Sequence, residues 1–406
     1  MMSDFLRAKD IIIVVTDDWD GPWRHYHKMA DELVRQGNRV LFVEAYYTLF
    51  KFVRKPNFER FLRFLKGTRK QREGLWLVSP PSRIPGGEFS AFISWINWSV
   101  AALFIRAATK KLGFKDPILW LYSHHAESLV GKFGESMALY FCGDHFPGFF
   151  HQRWIQRQVA ELERKTIQKV DVVITVSERL TQDKAQYAKE CYTVDHGAEF
   201  HLYATAAEEL KKGRVSFLSD IDAIPHPIIG FQGVVRRMID LELVASLARR
   251  CPKWSFVFVG PFAESSPEYL RKLDALRQYS NIRFLGPKTP QQVPYYVLQF
   301  DVGIIPYVRD VYVSPLKFYE YVSAGKPVVT TIPVYSDDER VVLTIHPDSD
   351  AVNIIEKALT HTTPEDVEFR KNIGKKNSWD HRVCDIAAIL QGVLERKRLS
   401  SMHHSD

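Results

Sequence analysis

Five consecutive apolar residues, Ile11-Ile12-Ile13-Val14-Val15, constrain this chain more than any other feature. A strand without polar alternation needs cover on both faces, the condition of a central strand in a parallel sheet. A polar loop follows over 16–22, then a helical stretch over 25–36 ending at Gly37, then a second apolar run, Val40-Leu41-Phe42-Val43. Strand, helix, strand is the βαβ unit. The same alternation predicts strands at 118–122, 137–141, 172–176 and 191–194. It restarts beyond a proline-bearing polar stretch at 220–227. There it predicts strands at 228–231, 255–259, 282–284, 302–305 and 328–330. Helices are expected between them at 240–250, 267–277, 293–300 and 317–323, with two more near 351–359 and 382–396.

The expected class is α/β, with two Rossmann-like, doubly wound parallel-sheet domains facing a central cleft. Their predicted limits are 1–212 and 213–380, and a helix and tail over 381–406 cross back to the first. A length of 406 residues suits two such domains. Open parallel sheets bind ligands beyond the C-terminal ends of their strands, so the candidate residues are sought in those loops.

The net charge of +7 is concentrated in one place. Residues 51–72 hold nine Lys or Arg against Glu59, which leaves −1 for the other 384 residues. A nucleic-acid footprint spreads its cations over a face, so no nucleic-acid partner is expected. The segment is also amphipathic: Phe58, Phe61, Leu62 and Leu65 recur at helical spacing, with Phe64 beside them. Arg60, Arg63 and Lys66 take the other sides, the pattern of a helix lying in an anionic membrane surface. A solvated basic loop with inward phenylalanines is the plainer alternative. The longest uncharged run, 89–105, has 17 residues, short of the ~20 of a span. The N-terminus has acidic residues and no small-residue cleavage site. The expected location is cytoplasmic, peripheral to the inner membrane face. Four scattered cysteines without ligand spacing argue for reduced thiols and against zinc.

Residues 313–330, VSPLKFYEYVSAGKPVVT, carry the most chemistry. A loop with Ser314 and Pro315 opens a short helix whose first turn holds Lys317 and whose second holds Glu320. A helix N-terminus with a lysine attracts phosphate, and a carboxylate one turn on suits a ribose diol. An exposed ion pair on a capped helix is the structural alternative. Gly230-Phe231-Gln232-Gly233-Val234-Val235-Arg236-Arg237 follows a strand and places two arginines behind Gly233. Such arginines suit a diphosphate, or merely solvent.

These two segments, with NIRFLGPKTPQQVPYYVLQFDVGIIPY between them, resemble the donor domain of GT-B glycosyltransferases. The likeness is to the large retaining group that includes bacterial exopolysaccharide and teichuronic-acid enzymes, and it spans about 228–335. The first half resembles that group more loosely, through DGPWRHYHKMADELVRQGNRVLFVE, YFCGDHFPGF and VDVVITVSERL. The resemblance implies that Lys317 and one of Arg236 and Arg237 hold the donor diphosphate, with Gly233 and Ser314 lining it. Glu320 matches the second acid of the family's E-x7-E motif, which faces the ribose. Tyr312 stands where the first acid belongs, and Phe141 replaces the first Asp of a Y-D-x-x-D segment. An S-P-L-K variant also occurs among related bacterial transferases, including some that resemble inverting glucuronosyltransferases of exopolysaccharide assembly.

Asp144, at the end of a predicted strand, is the candidate catalytic carboxylate. It acts as base if the reaction inverts and as acceptor contact if it retains; a helix cap is the structural alternative. His25 is a candidate proton shuttle or a structural histidine. Asp20, Trp23 and His124 are expected to face the acceptor. No metal or other cofactor is expected, because fixed cations offset the leaving diphosphate. The expected activity is transfer of a sugar, hexosyl or glucuronosyl, from a UDP-sugar to a lipid-linked or oligosaccharide acceptor. Rival readings are a nucleotide-sugar 2-epimerase of the same fold and an inactive nucleotide-sugar-binding scaffold.

Overall fold

The structure is a computed structural model that describes all residues except 1–3, 21–23, 45–57, 59–61, 82, 265, 309–313 and 403–406. The chain forms two compact units, one of residues 1–195 with 379–406, the other of residues 196–378.

The first unit holds strands β1 (Asp10–Val14), β2 (Arg39–Val43), β3 (Arg69–Arg72), β4 (Leu75–Val78), β5 (Ile118–Leu121), β6 (Met137–Cys142), β7 (Val172–Thr175) and β8 (Cys191–Thr193). They form one sheet in the order β3-β4-β2-β1-β5-β6-β7-β8. Every neighbouring pair is parallel except β3 and β4. All five residues of β1 are buried, as a continuous apolar run demands. Strand order reverses between β1 and β5, the switch point at which loops on the C-terminal edge diverge and leave room for a ligand.

Its helices begin with α1 (His25–Arg35), α2 (Ala91–Leu112), α3 (Arg153–Lys169) and α4 (Glu178–Ala185). Helix α2 is capped by the Ser90 side chain and stopped by Gly113 in the left-handed region. Ser94, Asn97, Trp98, Ala101, Ile105 and Ala108 form its buried stripe. At 22 residues it is long and apolar enough to cross a membrane, though part of it is buried in this unit.

Where it is described, the basic segment begins in helix at Phe58, tightens into a 3-10 turn and then leaves the helical conformation. Leu62 N–H bonds the Phe58 carbonyl at 2.9 Å, a tight turn spans Arg63–Lys66, and Arg69–Arg72 become the edge strand β3. Glu44 is fully buried just past β2 and receives Arg63 at 3.4 Å, Arg69 and the Ser79 hydroxyl. A buried carboxylate without such partners costs several kcal/mol, so this charge draws the basic segment onto the unit. Arg72 and Lys70 pair with Asp31 and Glu73.

The second unit is a six-stranded, wholly parallel sheet of β9 (Ile228–Gln232), β10 (Ser255–Val259), β11 (Ile282–Gly286), β12 (Val302–Ile305), β13 (Val328–Thr330) and β14 (Val342–Thr344). Their order is β11-β10-β9-β12-β13-β14, with the switch point between β9 and β12. Helices α5 (Phe200–Lys211), α6 (Leu241–Arg250), α7 (Pro267–Leu276), α8 (Val293–Val297), α9 (Leu316–Ser323), α10 (Ala351–Thr360) and α11 (Pro364–Lys376) accompany it. The division falls at 195/196, not at 212/213. Helix α5 packs on α8 and α9 and buries Tyr203 in the second core. The last helix, α12 (Trp379–Met402), packs on α1 and belongs to the first unit. Lys397 there pairs with Asp171 at 3.0 Å.

Candidate functional site

Each sheet gathers polar and aromatic side chains at its own switch point. In the second unit the backbone does much of the work. Gly233 follows β9 with φ +133°, and Gly260 follows β10 with φ +147°. A Cβ on Gly260 would stand 2.0 Å from the Gly233 carbonyl oxygen, so only glycine lets the two turns approach this closely. A Cβ on Gly233 would meet Lys317 Cε at 3.3 Å. The lysine therefore lies directly against the glycine turn.

Lys317 is buried in the first turn of α9, the end of a helix where N–H groups are unpaired and the dipole is positive. Its ammonium donates to the Tyr307 hydroxyl just past β12. It also stands 5.1 Å from the centre of the Phe231 ring and 4.6 Å from that of Tyr307. Ring faces hold a desolvated cation without neutralising it, which leaves its charge available to an anion. Tyr321, also on α9, accepts the Gln232 N–H at 2.9 Å and so ties the helix to the end of β9.

The structure thus brings Gly233 and Lys317 together. Ser314 is half-buried two residues before the helix, and Glu320 is half-buried one turn beyond Lys317. The phenols of Tyr203 and Tyr321 are pushed up by burial first, with the Glu320 charge adding to it. Arg236 and Arg237 are exposed in the turn after Gly233. The Arg236 carbonyl accepts the Tyr269 hydroxyl at 2.6 Å, and the Arg237 N–H reaches Glu264 at 3.4 Å. Tyr312 lies outside the described residues.

In the first unit side chains build the edge. His25, the first residue of α1, packs its ring on Tyr122 past β5 at 5.1 Å and on Phe141 of β6 at 5.7 Å. A Cβ on Gly143 would lie 3.1 Å from its Cε1. His25 is therefore brought to the residue that precedes Asp144. Asp144 is half-buried in the loop after β6 and does not cap a helix: the short turn Phe146–Phe149 starts after His145. The Asp144 carbonyl accepts the Cys142 thiol at 3.3 Å.

His124 is buried, 4.7 Å from the Phe146 ring, with Nε2 3.4 Å from the Glu88 carbonyl. Burial pushes its pKa down and that of His125 further down. Asp20 is exposed and pairs with Arg63 at 3.1 Å. Trp23 lies outside the described residues.

Sequence reasoning missed two members of this edge. Glu163 of α3 and Lys184 of α4 form a buried pair at 2.9 Å, and the Tyr140 hydroxyl donates to Glu163 at 2.9 Å. Burial works against the Lys184 charge, but Glu163 outweighs it and raises the pKa. Nothing in the local sequence marks either residue; only the packing of α3 against α4 does. Tyr307 was likewise silent, standing two residues past the apolar strand β12.

Of the membrane candidates, Arg60 and Phe61 lie outside the described residues. Phe58 and Lys66 are exposed, while Phe64 is half-buried with its ring 6.2 Å from Phe104. Arg63 faces Glu44 and Asp20 instead of solvent. Among the described residues no three His, Cys, Asp or Glu side chains gather as a metal-ligand set.

Comparison with known proteins bears on both units. The family described as "Glycosyl transferases group 1" matches residues 227–360. A Bacillus subtilis protein named as the teichuronic acid biosynthesis glycosyltransferase TuaH is 26% identical over 370 residues, 79% of this chain and 89% of that protein. Among solved structures, Anabaena HepE in complex with UDP superimposes with a TM-score of 0.65 at 14% identity, covering 94% of this chain and all of that one. A trehalose-phosphate synthase from Burkholderia vietnamiensis gives 0.64 at 12% identity, over 96% of this chain and all of that one. At such identities the structural likeness speaks for the fold alone, which is GT-B.

Proposed function

We propose, from the premise that this chain is a GT-B glycosyltransferase of group 1, that it moves a hexosyl or glucuronosyl group from UDP to a membrane-borne acceptor. The acceptor is a lipid-linked or growing polysaccharide of a cell-surface polymer, and the protein works at the cytoplasmic face of the membrane. The observation that carries this reading is the Lys317 ammonium, buried against Gly233 at the second switch point and held by Phe231 and Tyr307. The likeness to a teichuronic acid protein and to UDP-bound HepE supports the polymer and the nucleotide.

In the reaction the bond between the anomeric carbon and the diphosphate oxygen breaks, and a bond to the acceptor oxygen forms. Negative charge grows on the departing diphosphate. Lys317, the N-terminus of α9 and Arg236 or Arg237 stabilise it, the kind of fixed electrostatics that lowers a barrier without a metal. Ser314 and Gly233 line the phosphates, and Glu320 accepts the ribose hydroxyls. The acceptor's proton goes to Asp144 if the reaction inverts. If it retains, Asp144 orients the acceptor. His25, stacked beside Gly143, shuttles the proton onward.

Incubating the purified chain with radiolabelled UDP- and GDP-sugars and a membrane extract tests this. Label entering lipid or polymer supports transfer from UDP. An isomerised donor shows an epimerase, and binding without turnover shows a scaffold; either result removes the reading.

A further inference from the structure

Helices α3 and α4 and the loop after β6 enclose a pocket of about 770 Å³ in the first unit. It lies beside the Asp144 loop, since His145 lines it, though Asp144 itself does not. Arg153, Arg157, Arg164 and Lys184 supply its cations. The acids are already matched: Glu161 pairs with Arg164 at 2.7 Å, and Glu163 and Asp183 both pair with Lys184 at 2.9 Å. Among the described residues Arg153 and Arg157 have no acidic partner. They lie one helical turn apart on α3, so both side chains face the same recess. Two adjacent guanidinium groups with spare donors suit a phosphate or diphosphate.

The surface beside this recess is apolar. Trp154 follows Arg153, about 100° around the helix, and is 59% exposed, while Phe149 in the preceding turn is 57% exposed. The Trp154 ring lies 6.0 Å from Phe89, which leads into α2. On that helix Phe92 and Trp95 stack at 6.4 Å and are 69% and 53% exposed, with Leu103 exposed further along the helix. Exposed aromatic rings running on from an arginine pair match one class of ligand, an amphiphile whose charged head carries phosphate.

We infer that the pocket between α3 and α4 holds the phosphate-bearing headgroup of a lipid, with Arg153 and Arg157 on the phosphates and Phe149, Trp154, Phe92 and Trp95 in the bilayer interface. This deepens the proposed function, on which it rests for the purpose of the lipid: the acceptor's anchor is read at this recess while its sugar reaches Asp144. It also moves the main membrane contact from the basic segment at 51–72 to α2 and α3.

The test uses the full chain and vesicles of phosphatidylcholine containing a few mole per cent of an isoprenyl diphosphate. Vesicles of equal charge made with phosphatidylglycerol form a second arm, and soluble inorganic pyrophosphate a third. The chain is expected to bind the diphosphate vesicles about tenfold more tightly than the phosphatidylglycerol ones. The double variant Arg153→Ala/Arg157→Ala is expected to erase that preference, and Trp154→Ala to weaken binding to both vesicle types. Pyrophosphate competing as well as the vesicles would show a free-phosphate site and overturn the lipid assignment. Equal binding to both vesicle types by the unaltered chain, or a preference surviving in the double variant, would overturn the pocket assignment. UDP titration of the same proteins keeps the two readings apart, because failure of the unaltered chain to bind UDP refutes the proposed donor and leaves the vesicle result standing.

Discussion

The two switch points solve different problems with different materials. At the second, between β9 and β12, Gly233 and Gly260 bring backbone to within a distance no other residue allows, and one lysine is held by rings. At the first, between β1 and β5, the edge is built from His25, Tyr122 and Phe141, with a paired Glu163 and Lys184 behind the Asp144 loop. A diphosphate is the same in every donor, so a compact site of fixed backbone suits it. An acceptor varies, and a surface of side chains adjusts to it more readily. Under the proposed function the second unit binds the donor and the first carries the chemistry.

Changing Asp144 to Asn should break that division most visibly. Transfer is expected to fall by about 10²–10⁴, the usual share of a general acid or base, with UDP affinity unchanged by calorimetry. A matching loss of UDP affinity would merge the two sites. Lys317→Ala should also lower transfer but, unlike Asp144→Asn, weaken UDP binding by about 10- to 100-fold, the scale of a hydrogen bond to a charged group. Gly260→Ala places a Cβ 2.0 Å from the Gly233 oxygen. Strain of this kind costs about 1–3 kcal/mol, read as a lower unfolding midpoint of the second unit together with weaker UDP binding.

The smallest effect is in pH. Burial holds the His124 and His125 pKa values below the usual 6.5. The unfolded chain therefore takes up more protons than the folded one as pH falls past that value. Their contribution to stability is complete above about pH 6.5 and declines below it, by at most about 1.4 kcal/mol for each histidine per pH unit. Thermal unfolding between about pH 7.5 and about pH 5 should show the loss, and His125→Gln should flatten it. A flat profile in the unaltered chain would mean that these rings are charged in the fold.

The same contrast governs what the sequence disclosed. In the second unit the strands at 255–259, 302–305 and 328–330 lie where the apolar runs place them, and α9 begins at Leu316, one residue early. Gly233 and Lys317 were legible because a glycine turn and a helix start are local patterns. Strand β14 and helix α11 were not, lacking strong periodicity. In the first unit the apolar spacing of Phe58, Leu62 and Leu65 suggested an amphipathic helix, and Phe58 is helical, but the spacing did not show that the buried Glu44 takes Arg63 and Arg69 or that Arg69–Arg72 form an edge strand. That ion-pair demand comes from residues far apart in sequence. The pairing of Glu163 with Lys184 was hidden for the same reason.

A structure of the chain with UDP bound tests the central claim most directly. The account predicts diphosphate oxygens about 3 Å from Lys317 Nζ, with the ribose toward Glu320. A diphosphate lodged against the first sheet's edge, or anywhere that leaves Lys317 bonded only to Tyr307, would contradict it.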